Sequence, residues 1–125
     1  MNYIGTDILE TLRIQNSINK FQEKFINRIF TEHEQNYCYK QKHPEYHFAA
    51  RFCAKEAVSK ALKTGISGGI KWTDIEIKNT KSGAPFVELH NKALELFSQL
   101  NADGIDISLS HSDSIAQATA IISIA

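Results

Sequence analysis

Two cysteines, two prolines, one tryptophan and one methionine in 125 residues leave this chain little to cross-link or stiffen itself with. Cys38 and Cys53 stand far apart in no CxxC arrangement, which excludes a thioredoxin-type redox motif. They read as free thiols of a reducing compartment, one near the surface and one buried. No apolar run approaches the roughly 18 residues that a membrane span needs. The opening MNYIGTDILE has no basic region followed by an apolar stretch and a small-residue cleavage site. The expectation is a soluble, cytoplasmic protein. Charge of one sign is also missing, since 14 Lys and Arg balance 14 Asp and Glu, so a generally basic nucleic-acid binder is not indicated. A hydrophobic content of 42% argues against disorder. Catalytic signatures are sparse as well. There is no GxxxxGK[ST] loop, HPEYH around His43 and His47 is not HExxH, and SHS beside Asp113 lacks a nucleophile elbow.

What is present is a change of period along one domain-sized chain. NYIGTDI suits a short strand ending at Asp7, with Gly5 allowing close backbone approach. From Leu12 to Phe30, Ile14, Ile18, Phe21, Phe25 and Ile29 recur at helical spacing, as one amphipathic helix or two short ones. Arg13, Lys20, Lys24 and Arg28 gather on another side of that segment. Thr31 and Glu34 fit a capping box that starts a further helix. Pro44 at a first turn and Gly65 as a C-terminal cap frame a helix over about 45–63. IKWTDIEI and APFVEL around NTKSG predict a hairpin, and NKALELFSQL predicts a helix ended by ADG. IDISLSH and QATAIISIA predict two last strands. The order suits an α+β single domain, residues 1–125, with a mostly antiparallel sheet packed against a long helix.

That long helix carries the chemistry. FAARFCAKEAVSKAL is apolar and slim, yet Arg51, Lys55, Glu56, Ser59 and Lys60 fall within an arc of roughly 180° at about 100° per residue. Such an arc predicts a half-solvated wall of a site. If the first strand packs beside it, Asp7 and Glu56 can meet, and paired hard carboxylate oxygens suit Mg²⁺ held against a phosphate. Spacing alone favours Asp7 as a turn or helix-cap residue and Glu56 as an ion pair with Lys60 at i+4. Lys60 and Arg51 could instead hold phosphate oxygens, Arg being matched to bidentate contacts. His111, among the hydroxyls of SLSHSDS, could hydrogen-bond a phosphate or an adenine.

IGTDILE, FTEHE, RFCAKEAVSKALKTGI, GAPFVEL and SLSHSDSIAQA follow one another in an order that resembles the bacterial holo-acyl-carrier-protein synthase family of the 4'-phosphopantetheinyl transferase superfamily. The specific signals are GxD near the start and [FW]xxKExxxK, here Phe52, Lys55, Glu56 and Lys60. The resemblance implies transfer of 4'-phosphopantetheine from coenzyme A to a carrier-protein serine, with release of adenosine 3',5'-bisphosphate, in support of fatty acid biosynthesis. It implies Asp7 and Glu56 as Mg²⁺ ligands, Lys60 as a stabiliser of the leaving bisphosphate, and Arg51, Ser59, Gly65 and His111 near the coenzyme. The base for the serine proton stays open between a carboxylate and metal-bound water. An acidic acyl carrier protein would dock on Arg13, Lys20, Lys24 and Arg28, and the chain would form a homotrimer with sites between subunits. Alternatives are a transferase serving polyketide or peptide-synthesis carriers, and a non-catalytic coenzyme A binding protein. Two positions depart from the family pattern. Lys63 replaces a glycine in KALKTG, adding a phosphate contact or partly blocking one, and His43 replaces a basic residue, which would make that contact pH-dependent near pH 6.5.

Overall fold

The computed structural model describes all 125 residues. Strand β1 (Asn2–Glu10) pairs antiparallel with β5 (Ile115–Ile124), which pairs antiparallel with β4 (Ala102–His111), in the order β1-β5-β4. Alternation sends Ala116, Ala118, Ala120 and Ile122 of β5 to one buried face. The small side chains of that face let helix α4 (Pro44–Ala61) lie close against the sheet, and α4 answers with its own buried Ala50, Ala54, Ala57 and Ala61. The approach is closest at Gly5, where an added Cβ would stand 1.9 Å from the Ala57 carbonyl oxygen and 2.7 Å from the Ala61 nitrogen.

Around this pair, α1 (Thr11–Phe21) and α2 (Glu23–Ile29) break at Gln22, whose φ is 52°. The expected single or double helix is therefore double. Helix α3 (Glu32–Tyr39) starts on the expected capping box, with Thr31 Oγ1 accepting from Glu34 N and Glu34 Oε1 accepting from Thr31 N. A 3₁₀ turn at Trp72–Asp74 leads into β2 (Ile75–Asn79), which pairs antiparallel with β3 (Pro85–Leu89). Helix α5 (Asn91–Gln99) then returns the chain to β4.

The structure corrects several sequence expectations. β1 does not end at Asp7 but pairs on to Glu10 opposite Ile115, so Asp7 sits within a strand. The hairpin's first strand begins at Ile75, because the Asp74 carboxylate accepts from Lys71 N and closes a turn over the preceding residues. ADG opens β4 through a bulge between Ala102 and Gly104, and Asn101, at φ 61°, turns the chain after α5. Both cysteines are buried, where one was expected near the surface. Lys63, not Gly65, takes the left-handed position that ends α4: Lys63 N donates to Lys60 O at 3.0 Å and Thr64 N to Ser59 O at 3.2 Å, the Schellman pattern.

Candidate active site

The depth of Gly5 against α4 fixes where Asp7 falls. Two residues further along the same face of β1, its half-buried carboxylate meets the C-terminal half of the helix. Lys60 Nζ donates to Asp7 Oδ1 at 3.1 Å and to Thr6 O at 2.9 Å. Glu56, one turn before Lys60, is close enough to Asp7 for their charges to interact: burial raises the Glu56 carboxyl above its ordinary range, the Asp7 charge raises it further, and Lys60 opposes both. Burial likewise pushes the neighbouring Cys53 thiol up to about 12, with Asp7 adding to it. The structure thus brings Asp7, Glu56 and Lys60 together. Two mutually repelling carboxylates, with oxygen donors and one ammonium beside them, are a donor set that fits a hard divalent cation such as Mg²⁺.

The expected half-solvated arc on α4 is split in two. Only Glu56 and Lys60 of the five polar residues reach solvent, while Arg51, Lys55 and Ser59 are buried, with α3 and the hairpin strand β2 packed against that helix. Ser59 Oγ donates to Glu56 O at 2.7 Å, and Ser59 O accepts from Gly65 N at 3.1 Å, so Ser59 organises the helix end. Gly65, at φ +64°, has open space where a Cβ would be.

Arg51 belongs to a second cluster toward the start of α4. It is 2% exposed, donates from Nη2 to Asn79 Oδ1 at 2.5 Å, and holds its guanidinium 4.0 Å from the Tyr37 ring centroid. No carboxylate pairs with it, and its Nε has no hydrogen-bond partner. Buried charges are ordinarily paired, and this guanidinium has only the Asn79 amide oxygen and the Tyr37 ring as partners. His47 and His111 lie beside this cluster with ring centroids 5.2 Å apart, and Tyr46 stacks on His43 at 4.8 Å. Burial, then the charges of His111 and Arg51, lower His47 from its ordinary value.

Arg13, Lys20, Lys24 and Arg28 are all exposed, as a basic face requires. Three of them, Arg13, Lys24 and Arg28, border a groove of about 500 Å³ whose apolar lining includes Phe25, Phe52 and Trp72. Lys20 lies instead over the Phe21 ring at 5.2 Å. Phe52 and Trp72 stack with centroids 4.8 Å apart. The groove does not include Asp7 or Glu56, but Leu9 and Phe52 lie on its wall, two and four residues from them.

Two features escaped the sequence. Glu34, legible as a capping residue, also receives the fully buried Lys55 at 2.8 Å, a pairing that no local spacing signals. Glu76, Glu88 and His90 converge on the hairpin. Lys78 already supplies the cation there, 2.7 Å from Glu88, and His90 Nε2 lies 3.0 Å from Glu76.

Residues 3–120 match the model of the 4'-phosphopantetheinyl transferase superfamily. The chain belongs to that family. A holo-[acyl-carrier-protein] synthase from Protochlamydia amoebophila is 47% identical over 118 residues, 94% of each chain. Another, from Ruminiclostridium cellulolyticum, is 44% identical over 122 residues, 97% of this chain and 91% of that one. Among solved structures, the Helicobacter pylori holo-[acyl-carrier-protein] synthase in complex with coenzyme A superposes with a TM-score of 0.85 at 32% identity, covering 96% of this chain and 99% of that one. The Bacillus anthracis synthase, in complex with coenzyme A (3',5'-ADP), gives 0.81 at 33% identity, covering 98% and 96%.

Proposed function

We propose that this chain transfers 4'-phosphopantetheine from coenzyme A to a serine of an apo acyl carrier protein and releases adenosine 3',5'-bisphosphate. The observation that carries this reading is the Asp7, Glu56 and Lys60 constellation, standing in a fold shared with relatives solved with coenzyme A. The carrier's serine oxygen forms a bond to the coenzyme's β-phosphorus, and the bond from that phosphorus to the bridging oxygen breaks. Asp7 and Glu56 would hold Mg²⁺, which when bound supplies Lewis-acid polarisation of the pyrophosphate. They are also the bases that the chain itself offers for the serine proton. Lys60, poised on Asp7 and the Thr6 carbonyl, carries the positive charge that balances the departing bisphosphate.

The unpaired Arg51 guanidinium, with His111 nearby, suits another phosphate of the coenzyme, and Gly65 leaves room for a ligand to approach the end of α4. An acidic carrier fits the basic face of Arg13, Lys20, Lys24 and Arg28. The setting is the cytoplasm and fatty acid biosynthesis, and no helix is long and apolar enough to cross a membrane. The assembly is a homotrimer, whose surface we place on the outer face of the sheet, where Ile4 and Ile8 are 59% and 66% exposed.

Intact-mass spectrometry of an apo acyl carrier protein incubated with this protein and coenzyme A tests the reaction. The expected result is one phosphopantetheine added with Mg²⁺ and none with chelator. No mass change across carriers from fatty-acid, polyketide and peptide synthesis would overturn it.

A further inference from the structure

Lys55 is the charged residue of the [FW]xxKExxxK segment that the chemistry above does not use, and it has no exposed surface. Its ammonium has three N–H donors, and three acceptors surround it: Glu34 Oε1 at 2.8 Å, Ile75 O at 2.6 Å and Trp72 O at 3.1 Å. They come from α3, from the start of β2 and from the 3₁₀ turn. Glu34 is equally occupied, since it also accepts from Thr31 N and Ile77 N, each at 2.8 Å. A charge buried this completely is tolerated only because every donor and acceptor is matched.

The consequence reaches the groove. The Trp72 carbonyl is tied to Lys55, and the indole of the same residue lies on Phe52, one helical turn before Lys55 on α4. Both rings line the wall between Arg13, Lys24 and Arg28. The 3₁₀ turn carrying Trp72 has only three residues; Asp74 at its end is tied to His90 and Asn91, and this stack and this ammonium join Trp72 to α4. We propose that Lys55 is a positioning residue for carrier recognition: it fixes Trp72 against Phe52 and so keeps the basic-rimmed groove in the shape that an acidic acyl carrier protein enters. This rests on the reading that the carrier docks on that face.

Trp72 is the only tryptophan, so its emission reports directly on this wall. Lys55→Met keeps the side chain's length and removes the three bonds. The expected result is a red-shifted Trp72 emission and a carrier KM raised by about fivefold or more, with the coenzyme A KM and kcat within about twofold of the parent. An unshifted emission with unchanged carrier KM, or equal rises in both KM values, would overturn the proposal. Lys55→Met leaves the Glu34 carboxylate buried and unpaired, so the Glu34→Gln/Lys55→Met double variant is made beside it to preserve folding. Should neither fold, Phe52→Leu decides, because it removes the stack and leaves the ammonium in place. An unchanged carrier KM there would overturn the role given to the wall. The underlying docking reading fails differently: saturating apo carrier would then leave Trp72 emission of the parent protein unaltered, whereas failure of the Lys55 inference alone leaves that response intact.

Discussion

Glu56 within α4 and Lys63 just past its end illustrate how differently single positions act. Glu56 is half-buried beside Asp7, and its carboxylate has no hydrogen bond that the fold depends on. Glu56→Gln should therefore leave the melting temperature nearly unchanged while turnover drops by about two orders of magnitude, near 3 kcal/mol in the barrier, and the response to Mg²⁺ weakens. Thermal melts alongside a Mg²⁺ titration of activity check this, and unchanged turnover with an unchanged Mg²⁺ response would remove Glu56 from the chemistry. Lys63 shows the reverse. Its φ of 69° costs an L-residue about 1 kcal/mol that glycine avoids, although its ammonium lies 4.9 Å over the Tyr3 ring. Lys63→Gly should raise the melting temperature by a few degrees, about 1 kcal/mol less whatever the Tyr3 contact contributes. Calorimetry measures it directly. The departure at Lys63 is legible in the sequence. Its backbone conformation is not, because Gly65 nearby offers itself as the cap.

At the scale of elements, the seam between β1 and α4 sets the site. Gly5→Ala would drive a methyl into the Ala57 carbonyl, so strand and helix must part, at a cost of about 3 kcal/mol. Denaturant unfolding should show the loss, and activity should fall with it as Asp7 leaves Glu56 and Lys60. The first helical segment makes a different prediction. Reversing Lys20 and Lys24 to Glu should raise the carrier KM more than the coenzyme A KM, since both residues are exposed on the basic face. Equal effects on both would argue against docking there. The elements themselves were largely legible, since the capping box at Thr31, Pro44 at the start of α4 and the 3.6-residue spacing of Ile14 and Ile18 each have a local cause. The split of the charged arc was not. Whether Arg51 and Lys55 face water depends on α3 and the hairpin folding over them, which is decided by residues remote in the chain such as Glu34 and Asn79.

For the whole molecule, the single chain presents two charged clusters, the Asp7 group toward the end of α4 and the Arg51 group toward its start, together with an apolar outer sheet face. Ile8→Lys, placed on that face, should give a monomer in sedimentation and lose activity while the protomer stays folded; an unchanged sedimentation coefficient would remove that face from the assembly. The seam at Gly5 has a consequence for how such a protein can vary. Most interfaces weaken when side chains shrink, but this one is made of backbone and alanine methyls and has almost nothing left to delete. In a saturation library its positions should act as a one-sided filter, accepting glycine or serine for the alanines and rejecting anything larger. Such a library should therefore hold the seam to its smallest residues and concentrate its tolerated changes on the charged rims around it.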